Sequence, residues 1–457
     1  MTQRRAIRVV ATSARLVAGA VIAVGCVAGV VAAVALPWPT VANEPAELSV
    51  RPSAGDTTLV CNGPFRAIGR DTMNAQQMSP AGRPAVTVDS NGPREASDIA
   101  ISDLTGDAPA PQRFVGSAEQ GGSSLVAAAE SVTIAADDLA GLAAGACRAP
   151  STESWLVGGT VETGTSDLII LTNPGDVAST VTLTVYGLEP TSTTTVVPAG
   201  TQLAVPLASV AAGLQQPVVR VTAEGAPVRA VLQSSLIRTL DPSGIALQDT
   251  AGAPSANLTF AGVQVREPSD DTPVTVLRLM ATDQATNAAV TVRAGGEVVQ
   301  EVSVPLDAQV PAELGLEGLE RGVYSIEVEA ESAVVGATWQ TNRIGAGSDF
   351  TWMTPAPEIA EQVMIAVPRG PGARIHLVNT QDADANVTLT PTAGGEERTV
   401  TVPAGGSELV EARADTTYTL TTDAPLHAAV VLAGTDALAG WPIWPSAAAQ
   451  QPIAVYP

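Results

Sequence analysis

Residues 168–187 read LIILTNPGDVASTVTLTVYG, and residues 374–394 read RIHLVNTQDADANVTLTPTAG. In both stretches an apolar run ends at an asparagine, Asn173 or Asn379, a polar turn follows, and a Val-Thr-Leu-Thr strand returns. Alternation of threonine with valine and leucine is typical of an antiparallel strand with one buried face and one wet face. The two stretches therefore predict equivalent β-hairpins in two copies of one unit.

The similarity between the two copies extends beyond the hairpin. A Val-Pro-Ala-Gly corner follows at residues 197–200 and again at 402–405, and each copy ends with an Ala-Pro pair and an apolar strand. A weaker third copy lies between them, with Asp283 in the place of the asparagine and closing strands predicted at Tyr324–Val328 and Val334–Thr338. Units of about 100 residues with about seven short strands are typical of immunoglobulin-like sandwiches. The predicted fold is mainly β, with tandem immunoglobulin-like antiparallel β-sandwich repeats.

These repeats and their flanking segments predict the domain organisation. We expect three β-sandwich repeats between an N-terminal extracytoplasmic domain and a C-terminal segment rich in proline and tryptophan. The N-terminal domain is expected to be β, with a short helix at Asp137–Ala146. The predicted ranges are 45–150 for the N-terminal domain, 151–250, 255–350 and 358–435 for the repeats, and 436–457 for the C-terminal segment.

The N-terminus carries an uncharged apolar run. Residues 16–36 read LVAGAVIAVGCVAGVVAAVAL, and a helix of that length spans about 31 Å, the thickness of a bilayer's hydrocarbon core. Arginines in the preceding residues 1–15 predict a cytoplasmic basic tail. We therefore expect a single-pass transmembrane helix, with the N-terminus inside and the C-terminal domains outside the cytoplasmic membrane. The alternatives are a cleaved signal ending at Ala33–Ala35, which gives a secreted protein, and lipidation at Cys26.

The charge of the chain excludes two classes of partner. The formal net charge is −23, and all 23 basic residues are arginine. An acidic surface repels phosphate backbones and anionic lipid headgroups. We therefore expect neither a nucleic-acid partner nor peripheral binding to a membrane surface. The acidity itself is typical of a soluble surface.

Two cysteines follow the apolar run. Cys61 and Cys147 are expected to form a disulfide, because exported cysteines pair in an oxidising compartment. A zinc site needs more ligands than these two cysteines and the two histidines of the chain offer. Two buried free thiols are the alternative.

The histidines are the first candidates for catalysis. His376 aligns with Ile170 of the sister repeat, and His427 falls near the position of Arg229. Positions that accept isoleucine or arginine indicate ordinary strand residues. Nucleophile-elbow, zinc-protease and P-loop patterns are absent from the sequence. We therefore predict no catalytic residues, no cofactor and no enzyme activity.

One acidic turn resembles a metal site. Asp382, Asp384 and Asn386 match the opening of a calcium-binding loop, but Val387 stands where the loop needs glycine and no glutamate closes it. A solvated hairpin turn is the preferred interpretation, and no metal site is predicted.

The C-terminal segment contains Trp441 and Trp444 in the motif Gly-Trp-Pro-Ile-Trp-Pro. Two large rings in a proline-locked segment are compatible with a plug for the last sandwich or with an exposed interaction patch. We keep both possibilities open at this point.

Several motifs together resemble a known family. They are Leu-Val-Cys-Asn-Gly-Pro at 59–64, Trp-Leu-Val-Gly-Gly at 155–159, the Asn-Pro turn at 173–174 and the Val-Pro-Ala-Gly corners. The chain is similar to actinobacterial secreted, membrane-anchored proteins that are grouped only as a domain of unknown function. The resemblance implies a cell-envelope location near polysaccharide machinery, and it assigns no site residues.

The preferred functional hypothesis is a non-catalytic cell-envelope scaffold at the outer face of the cytoplasmic membrane. Its partners are expected to be the membrane, through the N-terminal helix, and an envelope protein or cell-wall polymer. The alternative is a module that binds cell-wall glycan through Trp441, Trp444 or an acidic groove. A hydrolase is the third hypothesis, with an acid and a base among the many carboxylates, which the sequence alone leaves unpaired.

Overall fold

The protein is mainly β in a computed structural model of the chain. It falls into two compact units, one made of residues 1–52 with 451–457 and one made of residues 53–450. The structure describes residues 17–31, 48–50, 55–74, 76–104, 108–117, 124–269, 272–446 and 453–455.

The first unit contains helix α1, residues 17–31, and an antiparallel pair of strands, β1 (Leu48–Val50) and β35 (Ile453–Val455). At a rise of about 1.5 Å per residue the helix is about 22 Å long, short of the about 30 Å hydrocarbon core of a bilayer. Among the described helices, none is both long and apolar enough to cross a membrane. The prediction of a single-pass anchor over residues 16–36, with its inside–outside orientation, is therefore wrong. The predicted tail, residues 1–15, lies outside the described residues.

Residues 57–146 form small antiparallel sheets at the start of the second unit. The strands are β2 (Thr57–Val60), β3 (Phe65–Ile68), β4 (Met78–Gly82), β5 (Ala85–Ser90), β6 (Arg94–Asp98), β7 (Ala100–Ile101), β8 (Gln112–Gly116), β9 (Val126–Ala136) and β10 (Leu139–Ala146). β9 pairs with β10 and β5, β8 pairs with β2 and β6, and β3 pairs with β4. The predicted helix at Asp137–Ala146 is wrong, because β10 pairs with β9 over its whole length and strand pairing overrides local helix propensity.

Residues 153–248 form two facing sheets. Their elements are β11 (Glu153–Val157), β12 (Leu168–Asn173), β13 (Ser179–Tyr186), β14 (Thr191–Val197), β15 (Thr201–Pro206), α2 (Leu207–Val210), β16 (Val218–Glu224), β17 (Arg229–Arg238) and β18 (Asp241–Gln248). One sheet has the order β11-β16-β13-β14 and the other β18-β17-β12-β15-β7. Leu171 and Leu232 of one sheet share a buried core with Leu183 and Val221 of the other. This arrangement is β-sandwich-like.

Residues 255–353 form a seven-stranded sheet that folds around its own core. The strands are β19 (Ser255–Val265), β20 (Thr275–Ala281), β21 (Thr286–Ala294), β22 (Glu297–Leu306), β23 (Ala312–Gly315), β24 (Gly322–Thr341) and β25 (Phe350–Met353). β24 pairs with β19, β20, β21 and β25. The two closing strands predicted at Tyr324–Val328 and Val334–Thr338 are thus one continuous strand, because residues 329–333 (EAESA) contain no glycine or proline that breaks it.

Residues 358–442 again form two facing sheets. Their strands are β26 (Glu358–Ile359), β27 (Val363–Val367), β28 (Arg374–Val378), β29 (Ala385–Pro391), β30 (Arg398–Val402), β31 (Ser407–Glu411), β32 (Thr416–Thr422), β33 (Leu426–Ala433) and β34 (Leu438–Pro442). One sheet has the order β26-β33-β28-β31 with β34 beside β33, and the other has the order β27-β32-β29-β30. Of the predicted C-terminal segment, residues 447–452 and 456–457 lie outside the described residues.

The two copies quoted at the outset share their hydrogen bonds as well as their sequence. Asn173 Nδ2 donates to the carbonyl oxygens of Val177 (2.8 Å) and Val197 (3.1 Å). Asn379 Nδ2 donates to the equivalent carbonyls of Ala383 and Val402 at the same two distances. In each copy the side-chain Oδ1 accepts a backbone N–H two residues later, at 2.9 Å. Each asparagine therefore holds its turn against the strand that returns.

The third copy does not reproduce this lock. Asp283 is exposed, and its carboxylate accepts a long hydrogen bond from the hydroxyl of the adjacent Thr282, at 3.4 Å. A carboxylate cannot donate to the carbonyl oxygens that the asparagine amides bind. The asparagine lock is therefore confined to the two copies with Asn173 and Asn379.

We expect Asn379→Ala to lower the free energy of unfolding by about 2 kcal/mol, because it leaves buried carbonyl and N–H groups without partners. Asn287→Ala is the matched control, since Asn287 is an exposed asparagine at the start of β21. It should change stability by less than about 0.5 kcal/mol in the same urea titration. Equal effects of the two substitutions would contradict the assignment of Asn379 as a structural lock.

Candidate binding groove

The four β regions are the N-terminal region (57–146), the second (153–248), the third (255–353) and the last (358–442). They pack together through shared clusters of buried side chains. Ala127, Ala129, Leu142 and Ala144 of the N-terminal region belong to the core of the last region. Trp155 of the second region packs with residues of the third in another cluster. The N-terminal region and the three regions after it therefore form one body within residues 53–450.

The carboxylate of Asp349 joins strands from all four regions. Its side chain is fully buried, and Oδ2 accepts the backbone N–H groups of Leu142 in β10 and Leu438 in β34, each at 2.9 Å. Oδ1 accepts those of Ile245 in β18 and Phe350 in β25, each at 3.1 Å. Burial raises the pKa of Asp349 to about 8 against the opposing effect of these four N–H donors. We call this arrangement the Asp349 junction.

Two glycines allow the strands to approach the Asp349 junction. A Cβ atom on Gly141 would lie 2.5 Å from Asp349 Oδ1, and one on Gly244 would lie 2.7 Å from it. Both glycines have positive φ, 140° and 120°. Each directly precedes a residue whose N–H binds the carboxylate, so a larger residue there would push a donor away.

A groove of about 640 Å³ opens beside the Asp349 junction. One wall comes from residues 159–167 and 234–239 of the second region, and the other from residues 272–278 and 339–352 of the third. Phe350, which donates its N–H to Asp349, also lines the groove. The junction therefore joins a strand of each of these two regions, β18 and β25, next to the groove.

Arg278 ties the two walls together. It is buried in β20, and its Nη1 donates to the carbonyl oxygens of Gly159 and Pro217 across the groove, both at 2.9 Å. Its Nε and Nη2 donate to Glu313 Oε1 at 2.9 and 2.7 Å. The guanidinium carbon lies 4.8 Å from the centre of the Trp352 ring. All three guanidinium nitrogens are thus occupied within the protein.

Asp167 lies in the opposite wall, just before β12. It is buried, and its Oδ2 accepts the N–H of Thr160 at 2.7 Å. Burial raises its pKa to about 7, against the lowering effects of that hydrogen bond and of Arg278. Gly159 has a φ of 74°, and a Cβ there would meet Asp167 Oδ2 at 2.7 Å. The second glycine of the Trp-Leu-Val-Gly-Gly motif therefore shapes this wall.

The rim of the groove is the turn between β17 and β18. Thr239 adopts a left-handed conformation with a φ of 62°, and Leu240 beside it is 85% exposed. The pairing of β17 with β18 shifts register between Ser235 and Ile237. Bulges and strained non-glycine residues cluster at binding sites, so the local geometry marks this rim as a functional candidate.

The predicted disulfide is confirmed. Cys61 and Cys147 are bonded and lie in a buried cluster with Leu59 and Phe114. Next to Cys61, the backbone N–H groups of Asn62 and Gly63 donate to the buried carboxylate of Glu130. Burial raises the pKa of Glu130 to about 7. The Cys-Asn-Gly part of the family motif therefore forms a structural turn, which is held by the disulfide and by the hydrogen bonds to Glu130.

The two tryptophans of the C-terminal motif lie in different surroundings. Trp441 is 3% exposed in β34 and belongs to the core of the last region. Trp444 is half-buried, and the guanidinium of Arg148 lies 3.4 Å from the centre of its ring. The two rings do not form an exposed pair, because the first fills the sandwich as a plug and the second covers Arg148.

Both histidines lie in strands. His376 Nδ1 in β28 accepts the N–H of Gly262 at 2.7 Å, and burial lowers its pKa to about 4. His427 Nδ1 in β33 lies 2.7 Å from the carbonyl oxygen of Ala356 and donates to it, and burial lowers its pKa as well. The two rings join the last region to strands of the third region and the segment after it.

The acidic turn at residues 382–386 is held by protein groups. Asp384 Oδ1 accepts the N–H of Ala404 at 3.0 Å, and Asn386 Nδ2 donates to Asp423 at 2.9 Å. Within the described ranges, no group of three or more histidine, cysteine or acidic residues has the arrangement of a metal site.

The chain belongs to the Family of unknown function (DUF5719), whose model matches residues 100–413. The predicted resemblance to a domain of unknown function is thereby confirmed, whereas the actinobacterial source stays a prediction. No curated protein matches the chain.

Two solved structures show weak similarity. One contains the FN1–FN3 domains of chicken CNTN1, at 10% identity and a TM-score of 0.11, over 67% of this chain and 98% of that one. The other is a tetra-tandem repeat in the extending region of a large adhesion protein, at 14% identity and a TM-score of 0.11, over 80% of this chain and 91% of that one. Similarities at this level carry no argument about fold or function.

Proposed function

We propose that the protein is a non-catalytic binding scaffold, a rigid β body that holds a partner in the groove beside the Asp349 junction. The observation that carries this proposal is the junction itself. One carboxylate binds N–H groups from four strands that are far apart in sequence. Such a connection prevents the groove walls from moving independently, and preformed walls reduce the entropy cost of binding.

The non-catalytic part of the proposal is supported by how three buried ionisable groups outside the groove are used. Glu130 and Asp349 accept backbone N–H groups, and His376 accepts one as well. A general acid or base needs a free proton-transfer position next to a substrate. These three groups make their hydrogen bonds to backbone N–H groups within the protein, where they stabilise the fold.

We also propose that residues 151–250 and 358–435 are immunoglobulin-like sandwiches. In each range, two antiparallel sheets of four or more strands face each other across an apolar core. The shared asparagine turns support a common ancestor for the two. The region between them, at 255–350, is proposed as a diverged third copy in which β24 joins the two sheets.

The proposed working environment is an oxidising compartment, and the proposed partner is an envelope protein or a cell-wall polymer. The Cys61–Cys147 disulfide supports this environment, since such bonds persist where thiols are not kept reduced. The acidic charge of the chain supports a partner other than nucleic acid.

A photo-crosslinking amino acid at position 240, on the rim of the groove, tests the scaffold proposal in intact cells of the native host. We expect one discrete macromolecular adduct. The matched control is Val177, an exposed apolar residue in the turn that follows β12. The groove residue Asp167 lies at the opposite end of this strand. No adduct at 240, or the same adduct at both positions, would contradict a partner held at the groove.

A further inference from the structure

We infer that the groove beside the Asp349 junction is a binding site for a neutral carbohydrate chain. One wall of this groove is formed by residues 159–167 and 234–239, and the other by residues 272–278 and 339–352. This inference rests on the proposed function and names the chemistry of the ligand. It is carried by three properties of the groove: an accessible aromatic ring, a wall of hydroxyl and carboxylate groups, and an excess of carboxylates over guanidinium groups.

The aromatic ring is Trp339 in β24. It lines the groove and is half-buried, so one part of the indole stays accessible. The ring of Phe350, which also lines the groove, lies 6.3 Å from it in a tilted arrangement. The C–H face of a pyranose ring is apolar and packs on an aromatic plane, which gives such a site both contact area and orientation. Trp339 therefore serves as the platform.

The polar wall lies in the second region. Thr160, Thr165 and Ser235 contribute hydroxyl groups, and Glu162 and Asp167 contribute carboxylates. A sugar hydroxyl donates one hydrogen bond and accepts others, so it matches a mixed set of hydroxyl and carboxylate partners. The raised pKa of Asp167 lets this carboxyl act as donor or acceptor near neutral pH. This wall is suited to a ligand whose polar groups are mostly hydroxyls.

The charge of the groove selects against acidic ligands. Asp167, Glu162 and Glu313 line it together with Arg278 and Arg238. Arg278 is the deeper cation, and each of its nitrogens already donates to Glu313, Gly159 or Pro217. A phosphate, sulfate or uronate would thus face three carboxylates against two guanidinium groups, and the deeper of these two already pairs with Glu313. A neutral chain avoids that repulsion.

The size and rim of the groove fit an extended ligand. Its volume of about 640 Å³ lies in the range of small-molecule sites, and the groove is open at the rim. Leu240 and Ile237 are exposed there, at 85% and 37%. Apolar side chains at the rim can cover further sugar units of the same chain, so a polymer segment fits better than a single monosaccharide.

The test uses the protein with an array of soluble neutral hexasaccharides of glucose, galactose, mannose and arabinose, their sulfated forms, and arginine-rich peptides. We expect at least one neutral hexasaccharide to bind and its sulfated form to bind more weakly. Trp339→Ala and Asp167→Asn should each weaken binding by about ten-fold, the effect of one stacking contact or one hydrogen bond to a charged group.

Trp444→Ala is the matched control, because Trp444 is also half-buried but lies against Arg148, outside the groove. It should leave the affinity unchanged. Trp339→Phe keeps an aromatic ring and should retain most of the affinity, which separates lost stacking from misfolding. No binding of any neutral hexasaccharide, or binding that Trp339→Ala and Asp167→Asn both leave unchanged, would overturn the inference.

The two proposals fail separately. Binding of arginine-rich peptides alone, or a protein adduct at position 240, overturns the carbohydrate site and keeps the scaffold. Absence of any adduct at position 240 refutes the scaffold whatever the array shows.

Discussion

Asp349→Ala is expected to lower the free energy of unfolding by about 4 kcal/mol, because it leaves four buried backbone N–H groups without an acceptor at about 1 kcal/mol or more each. These groups belong to Leu142, Ile245, Phe350 and Leu438. An effect of this size is rare for a single substitution and indicates a buried polar network. Equilibrium unfolding in urea, followed by tryptophan fluorescence, measures it.

Asp176→Ala is the control for this prediction. Asp176 is exposed in the turn between β12 and β13, so its removal should change stability by less than about 0.5 kcal/mol. A wild-type-like Asp349→Ala variant would show that the four regions are held together by their other contacts. The Asp349 junction would then have no part in fixing the groove.

Removal of the disulfide is the second large expected effect. Cys61 and Cys147 are 86 residues apart in sequence, and a cross-link that closes a loop of this length restricts the unfolded chain by about 4 kcal/mol. The double variant Cys61→Ala with Cys147→Ala should therefore unfold at clearly lower denaturant concentration than the wild type.

Cys26→Ser is the matched control for the disulfide, because Cys26 is a free, exposed cysteine in α1. It should leave the denaturation midpoint unchanged, and a reducing agent should shift the wild type toward the double variant. If the reducing agent and the double substitution both left the midpoint in place, the cross-link would contribute nothing to stability.

The features that the sequence predicted are local. The hairpins at Asn173 and Asn379 follow from strand alternation and turn chemistry within about twenty residues of chain. The pairing of Cys61 with Cys147 followed from the small number of cysteines. In the hairpins the residues that decide the structure are close in sequence. In the disulfide they belong to a residue type that is rare in this chain.

The features that the sequence did not predict depend on contacts between distant segments. Asp349 and Arg278 are single charged residues, and their partners come from strands separated by up to about two hundred residues. Gly141 and Gly244 offered a signal, since glycine inside a strand often marks the close approach of another group. Neither glycine indicates which group approaches.

The incorrect predictions have related causes. A helix was predicted at Asp137–Ala146, a segment rich in alanine, whereas pairing with β9 decides the structure there. Hydropathy predicted a membrane helix over residues 16–36, while the described helix covers residues 17–31 only.

The central claim is that one carboxylate holds four regions of the chain in a single body with a preformed groove. Hydrogen exchange of the amides of Leu142, Ile245 and Leu438, measured in the wild type and in Asp349→Ala, tests it most directly. In the wild type all three amides should exchange only through global unfolding, and in the variant they should exchange through local opening at much higher rates. Three different free energies of opening in the wild type, or free energies that the variant leaves unchanged, would contradict the account.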